Sequence, residues 1–194
     1  MKQLNRETAN AKKYTEKVIQ FGEGNFLRAF ADWIIWKTNQ KTDFNASVVV
    51  VQPRAGGKVE MLNAQDGLYH LNLQGLDGGK TVDTIDLIDV VSRGIDPYKD
   101  FDAYLKLAEQ PEMRFIISNT TEAGIAFDPA CKFTDKPALS YPGKTRAVAL
   151  SPFRVFQGRC LERLHYFAVR TYISQWQAFN RMYQSIYRPL ESWQ

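Results

Sequence analysis

The first fifty residues follow a strand–helix–strand pattern of apolar and polar positions. An apolar run at positions 17–21 predicts a strand, and a second, β-branched run at Ser47–Val51 predicts a parallel strand covered on both faces. Between them, positions 25–36 are predicted to be a helix whose apolar face contains Phe26, Ala29, Phe30, Trp33 and Ile34. Together these elements predict one βαβ unit.

The middle of the chain predicts a hairpin, a helix and another strand. Leu68–Gln74 and Ile85–Val90 flank Asp77–Lys80, a pattern typical of an antiparallel hairpin. Pro97–Glu109 has helical spacing, and Met113–Ser118 is a further buried strand. The predicted fold class is therefore α/β: a doubly wound, mostly parallel sheet with an inserted β-hairpin.

Two glycines one residue apart, Gly22 and Gly24, lie where the first strand meets the first helix. Such a turn leaves backbone N–H groups and a helix N-terminus available to a pyrophosphate. The full dinucleotide fingerprint has a third glycine three residues later, where this chain has Leu27. A tight strand-to-helix turn without a ligand is the alternative interpretation.

Two further polar segments follow predicted strands. Gln52-Pro53-Arg54 ends the second strand without the carboxylate that binds ribose in simple NAD sites, so these residues leave NAD and NADP both open. Gln52 could donate to the ribose, and Arg54 could stack on adenine or meet a 2′-phosphate. Positions 119–124 follow the Met113–Ser118 strand and would face the same crevice. A capped turn is the alternative for that segment.

Composition changes near position 144. The net charge of +4 arises in the last fifty residues, which contain seven arginines, no lysine, no aspartate and ten aromatic side chains. Such a segment could bind nucleic acid through phosphate pairing and base stacking, or form a basic amphipathic helix on a membrane. The first 144 residues are nearly neutral. We therefore expect a domain at 1–144 and a separate tail at 145–194, irregular or helical.

Other chemistry is sparse. Cys131 and Cys160 are far apart, which favours free thiols in a reducing cytoplasm over a disulfide. His70 and His165 have no neighbours that would mark a catalytic pair or a metal site. No apolar run is long enough to span a membrane, and the N-terminal residues are polar, unlike a signal peptide. These features predict a cytoplasmic protein without a membrane partner.

Several short segments of this sequence resemble the amino-terminal, Rossmann-like domain of the mannitol dehydrogenase family of long-chain polyol dehydrogenases. They are Phe21–Phe30, Val48–Pro53, Gln65–Tyr69, Glu112–Phe115, Ser118–Ile125 and Ser140–Lys144. Phe21–Phe26 and Ser118–Gly124 are typical of the hexuronate branch, the altronate oxidoreductases (tagaturonate reductases). The resemblance implies NAD as cofactor and a metal-independent hydride transfer between altronate and tagaturonate.

The resemblance also implies the site residues. The family segment that binds the dinucleotide corresponds to Val18, Ile19, Gln20, Phe21, Gly22, Glu23, Gly24, Asn25, Phe26, Leu27, Arg28 and Ala29. The segment beside the nicotinamide corresponds to Asn119, Thr120, Thr121 and Glu122. Arg28 could reach a phosphate or be purely structural. The family's general acid/base lysine belongs to a second, helical domain that these 194 residues lack, so no catalytic residue is assigned, and we expect a truncated, inactive chain.

The tail from Thr145 differs from the family continuation that the resemblance predicts. An out-of-frame reading of the gene after Lys144 would explain its arginine-rich, lysine-free composition, and this interpretation argues against nucleic-acid binding. Sequencing the DNA around that codon tests this interpretation. A non-catalytic NAD-binding or regulatory module is the alternative function for the chain as a whole.

Overall fold

The computed structural model describes residues 4–119, 130, 135–136 and 165–168. Its main element is a sheet of five parallel strands in the order β5-β2-β1-β6-β7. The strands are β1 (Thr15–Phe21), β2 (Ala46–Val51), β5 (Val91–Ile95), β6 (Phe115–Ser118) and β7 (His165–Ala168). A separate two-stranded sheet pairs β3 (Tyr69–Asp77) with β4 (Lys80–Ile88). The doubly wound α/β class with an inserted hairpin is confirmed.

Strand β2 lies at the centre of the core, and all six of its residues are buried. Because side chains alternate along a strand, Val48 and Val50 belong to one apolar cluster, and Val49 and Val51 belong to the cluster on the opposite face. The uninterrupted β-branched run therefore correctly predicted a strand covered on both sides.

One helical run, 25–41, connects β1 to β2. It consists of α2 (Asn25–Leu27), a π-helical turn (Arg28–Asp32) and α3 (Trp33–Lys41). The predicted apolar face was wrong, because Phe26, Phe30 and Ile34 are 44–49% exposed. The run packs instead through Leu27, Ala31 and Ile35. The helical run carries apolar residues on two faces. The sequence prediction chose the face with the larger, aromatic side chains, but the other face is the buried one.

The hairpin was predicted correctly, with Gly78 and Gly79 both at positive φ in its two-residue turn. The sequence missed strand β5, which begins directly after the hairpin and pairs with β2. Its interior residues Ser92, Arg93 and Gly94 interrupt the apolar pattern that marks the other parallel strands. Arg93 is held by a bidentate pair to Glu16, with both N–O distances at 2.8 Å.

The remaining helices in the described part of the chain are short. They are α1 (Arg6–Ala9), α4 (Val59–Asn63) and α5 (Phe101–Lys106), the last continued by a 3₁₀ turn at Leu107–Glu109. Helix α5 begins later than predicted because the Asp100 carboxylate caps it, accepting from the Ala103 N–H at 2.8 Å. Among the described residues, no helix has the length and apolar character needed to cross a bilayer.

Four residues of the segment expected to be irregular or helical form strand β7, which pairs with β6. The expectation of an irregular or helical tail was therefore wrong at these positions. Pairing with a parallel neighbour satisfies backbone groups that a tail outside the sheet would leave to solvent. The rest of positions 145–194 lies outside the described residues.

Candidate functional site

The turn after β1 has the geometry that the glycine pattern predicted. Gly22 has φ +123°, a conformation that only glycine adopts easily. Its N–H donates to the Val51 carbonyl at 3.0 Å, so the turn is tied to the end of β2. A Cβ at Gly22 would lie 3.3 Å from Leu27 Cδ1. The chain therefore makes a close turn here without a side chain.

Gly24 occupies the N-cap position of the helical run, with φ −69°. No side-chain hydrogen bond caps this helix, and within the described residues a Cβ at Gly24 would meet nothing within 4 Å. The first N–H groups of a helix need an acceptor from outside the helix. An uncapped N-terminus beside open space, at the carboxyl end of β1, suits an anionic group.

The structure brings one residue of the second predicted segment to this turn. Asn119 directly follows β6, the strand that pairs with β1, and its Oδ1 lies 3.5 Å from the position of a Gly22 Cβ. Parallel strands thus bring Asn119, the first residue of the second predicted segment, to the same end of the sheet as the glycine turn, as predicted. Thr120, Thr121 and Glu122 lie outside the described residues.

The remaining residues of the predicted dinucleotide segment divide into core and surface. Val18, Ile19, Gln20 and Phe21 are buried in β1, and Leu27 is buried beneath the turn. Phe26 is half exposed and stacks on Phe30, with ring centroids 5.6 Å apart. Glu23 is partly buried, whereas Gly24, Asn25 and Ala29 are exposed. Only part of this segment therefore has atoms accessible to a ligand.

Gln52 and Arg54 have different environments after β2. Gln52 is 1% exposed, its Oε1 accepts from the Val59 N–H at 3.4 Å, and a Cβ at Gly57 would lie 2.4 Å from its Cδ. The side chain therefore braces the loop between β2 and α4. Arg54 is exposed in that loop. The expected contact of Gln52 with a ribose stays a prediction.

Arg28 is partly buried on the helical run. Its Nη2 donates to Asn25 Oδ1, and its guanidinium lies 5.2 Å from the centroid of the Tyr69 ring. These contacts support the structural interpretation of Arg28, one of the two that the sequence left open.

A buried polar network beneath the turn was not predicted. Gln20 and Asp32 are 0% exposed; Gln20 Nε2 donates to the Gly22 carbonyl at 3.2 Å. The Tyr69 hydroxyl lies 3.1 Å from Asp32 Oδ2 and 2.9 Å from the Arg28 carbonyl. Burial raises the pKa of Asp32 to about 7, although Tyr69, Gln20 and Arg28 each act to lower it. Asp32 lies next to the buried face of the helical run, which consists of Leu27, Ala31 and Ile35. A correct prediction of that face would therefore have indicated that Asp32 is buried.

A cavity of about 430 Å³ opens at the opposite end of the sheet, lined by Arg6, Lys13, Tyr14, Glu16, Ser47, Asn63, Asp66, Ser92 and Arg93. Arg6 donates to the carbonyls of Asp66, Asp89 and Val91, and Arg93 pairs with Glu16. Two of the cationic side chains that line this cavity, Arg6 and Arg93, therefore already have acceptors within the protein. The uncapped turn differs, because its helix has no side-chain cap.

Sequence matches to curated relatives extend over most of the length of this chain. The chain is 64% identical over 158 residues to the altronate oxidoreductase of Bacteroides thetaiotaomicron, a match to 81% of this chain and 33% of the relative. It is 51% identical over 146 residues to that of Bacillus subtilis, covering 75% of this chain and 30% of the relative. The chain thus spans about one third of the length of these relatives.

Solved structures show the same fold at low sequence identity. A D-sorbitol dehydrogenase in substrate-free form superposes with a TM-score of 0.71 at 16% identity, covering 97% of this chain and 43% of that one. Mannitol 2-dehydrogenase from Pseudomonas fluorescens, in a ternary complex with NAD and D-mannitol, superposes with a TM-score of 0.70 at 14% identity, covering 95% of this chain and 42% of that one.

The protein-family model of the mannitol dehydrogenase Rossmann domain matches residues 16–184 of this sequence. This range contains the glycine turn and all five strands of the parallel sheet except the first residue of β1, and it continues beyond position 144. The boundary expected at 144 stays a prediction. With its parallel sheet, its glycine turn and this match, the chain belongs to the mannitol dehydrogenase family and contains that family's Rossmann domain.

Proposed function

We propose that the Rossmann domain of this chain binds the coenzyme NAD(H) for an oxidoreductase that interconverts altronate and tagaturonate. The observation that carries this proposal is the uncapped helix N-terminus at Gly24, beside open space and directly after the Gly22 turn. Backbone N–H groups and the helix dipole would hold the pyrophosphate there. The identity of 64% to an altronate oxidoreductase supports the choice of substrate.

The nicotinamide would lie toward Asn119. Its side chain stands at the end of β6, next to Gly22, where the substrate-side half of a dinucleotide meets the crevice in doubly wound sheets. The adenosine half would then extend toward the loop after β2, where Arg54 is exposed. Thr120, Thr121 and Glu122 would extend the nicotinamide side.

Hydride transfer also needs a proton donor held against the carbonyl oxygen. The chain spans about one third of its relatives, and the family resemblance places the proton-donating lysine in the remainder. We therefore propose that the 194-residue polypeptide, purified alone, binds NADH without reducing tagaturonate. NADH-dependent reduction of tagaturonate by that polypeptide would overturn this part of the proposal.

Titration of the purified chain with NADH, followed by nicotinamide fluorescence, tests the coenzyme site. Gly24→Val fills the open space at the helix N-terminus, and the backbone there, at φ −69°, accepts a side chain. We expect this variant to fold and to lose NADH binding at least tenfold. Gly75→Val is the matched control, because a Cβ at Gly75 in β3 also meets nothing within 4 Å. Equal NADH affinity in both variants and the parent would contradict a pyrophosphate site at Gly24.

A further inference from the structure

Tyr69 joins the inserted hairpin to the helical run that begins at the glycine turn. It is the first residue of β3, is 9% exposed, and belongs to the same apolar cluster as Val48 and Val50. The chain just before it is held close to β5, because Gly67 has φ +75° and a Cβ there would lie 2.1 Å from the Val91 carbonyl oxygen. Tyr69 therefore reaches the helical run from a position that the sheet fixes.

The Tyr69 hydroxyl meets the helical run at its π-helical turn. It lies 2.9 Å from the carbonyl oxygen of Arg28, the first residue of that turn, and 3.1 Å from Oδ2 of Asp32, the last. Burial raises the pKa of Tyr69, so the hydroxyl keeps its hydrogen and is a donor. A π-helical turn departs from the hydrogen-bond pattern of an α-helix, and the Tyr69 hydroxyl supplies a donor to the Arg28 carbonyl at that point.

The Tyr69 ring makes a second contact with the same residue. The Arg28 guanidinium lies over the ring, 5.2 Å from its centroid, and Nη2 of Arg28 donates to Oδ1 of Asn25. Asn25 is the first residue of the helical run and directly follows Gly24. The hydroxyl and the ring thus hold the backbone and the side chain of Arg28, whose N–H donates to the Gly24 carbonyl at 3.3 Å.

We propose that Tyr69 is a positioning residue for the coenzyme: through Arg28 it fixes the first turn of the helical run, and with it the N–H groups that receive the pyrophosphate. This inference rests on the proposed coenzyme site. The buried side chains of Leu27, Ala31 and Ile35 also hold the run, but apolar contacts have no preferred direction. A hydrogen bond to a backbone carbonyl is directional, so it fixes how the run is rotated and how far it is shifted along its axis. Donors that are already in place bind an anion without the cost of ordering them.

Two substitutions separate the hydroxyl of Tyr69 from its ring. Tyr69→Phe removes the hydroxyl and keeps the ring beneath Arg28, whereas Tyr69→Leu removes both. Tyr14→Phe is the matched control, because Tyr14 also has a buried hydroxyl and lines the cavity at the opposite end of the sheet. If Tyr69→Leu does not fold, Tyr69→Phe alone decides the matter.

NADH titrations, made well below the unfolding temperature of each variant, test the positioning role. We expect Tyr69→Phe to bind NADH about threefold to tenfold more weakly than the parent, the effect of one hydrogen bond. Tyr69→Leu should bind more weakly still, because it also loses the contact with the Arg28 guanidinium, and Tyr14→Phe should bind like the parent. A purely structural Tyr69 would lower the unfolding temperature and leave the NADH affinity of the folded chain unchanged. That result would overturn the inference.

Hydrogen exchange of the coenzyme-free chains distinguishes a failure of this inference from a failure of the coenzyme site. Positions 25–32 should exchange faster in Tyr69→Phe than in the parent, and Tyr14→Phe should not differ from the parent there. Unchanged exchange at these positions in Tyr69→Phe overturns the role of Tyr69, even where the parent binds NADH. Faster exchange in Tyr69→Phe, with no NADH binding by the parent, overturns the coenzyme site instead.

Discussion

At the scale of single residues, Gly22 and Gly24 have different roles in one turn. Gly22 has φ +123° and lies against Leu27, whereas Gly24 has φ −69° and faces open space. The first is therefore needed for the turn itself, and we propose that the second leaves room for the pyrophosphate. Single substitutions can separate these roles.

Gly22→Ala should destabilise the chain by about 1–3 kcal/mol, because alanine at this φ is strained and its Cβ meets Leu27 Cδ1 at 3.3 Å. Gly24→Ala should cost no more than about 1 kcal/mol, the usual effect at an N-cap. Urea unfolding of both variants measures the difference. Equal losses would mean that the turn does not depend on the backbone conformation of Gly22.

Asp32 also links stability to pH. Its pKa is raised from 3.8 to about 7 by burial, so its contribution is fully present below about pH 4 and is lost as the pH rises to about 7. The change is at most about 4 kcal/mol. Asp32→Asn should therefore gain stability relative to the parent between pH 4 and 7, with a constant difference above that range. Thermal unfolding at a series of pH values measures it, and a difference independent of pH would contradict the burial of an ionisable Asp32.

At the scale of elements, the helical run 25–41 has a buried face and an exposed apolar face. Leu27 is 0% exposed, whereas Ile34 is 44% exposed. Leu27→Ala should cost about 2–5 kcal/mol, as for a buried leucine, and Ile34→Ala less than about 1 kcal/mol. Denaturant unfolding of the two variants tests the assignment. A larger loss for Ile34→Ala would restore the face predicted from the sequence.

How much the sequence predicted depended on how many interpretations each pattern allowed. The run at Ser47–Val51 has only one reasonable interpretation, and the glycines of the hairpin require a turn, so both were predicted correctly. The apolar residues of the first helix lie on two faces, and periodicity could not choose between them. Strand β5 was missed because Ser92, Arg93 and Gly94 are set by tertiary contacts, such as the pair between Arg93 and Glu16.

The candidate site was predictable to a similar degree. Local spacing placed Gly22 and Gly24 at a strand–helix junction, and the rule for parallel strands brought Asn119 beside Gly22. The contact of Asp32 with Tyr69 joins the helical run to strand β3. The local sequence does not predict such contacts, because they depend on which side of the helix faces the sheet.

At the scale of the whole molecule, strand β7 covers one edge of the parallel sheet. It pairs with β6 through four residues, 115–118 with 165–168. A chain ending at residue 144 would leave the β6 edge unpaired, and unpaired edges promote association between chains. We expect such a chain to self-associate more than the 194-residue chain in analytical ultracentrifugation. Equal, monomeric behaviour of both chains would show that the β6 edge is protected without β7.

The most direct test of the coenzyme site is a hydrogen-exchange footprint of the 194-residue chain with and without saturating NADH. A dinucleotide seated at the helix N-terminus should slow exchange at positions 22–28 and beside Asn119, and leave the cavity at Arg6 and Arg93 unchanged. Slower exchange around that cavity alone, with the glycine turn unaffected, would contradict the account.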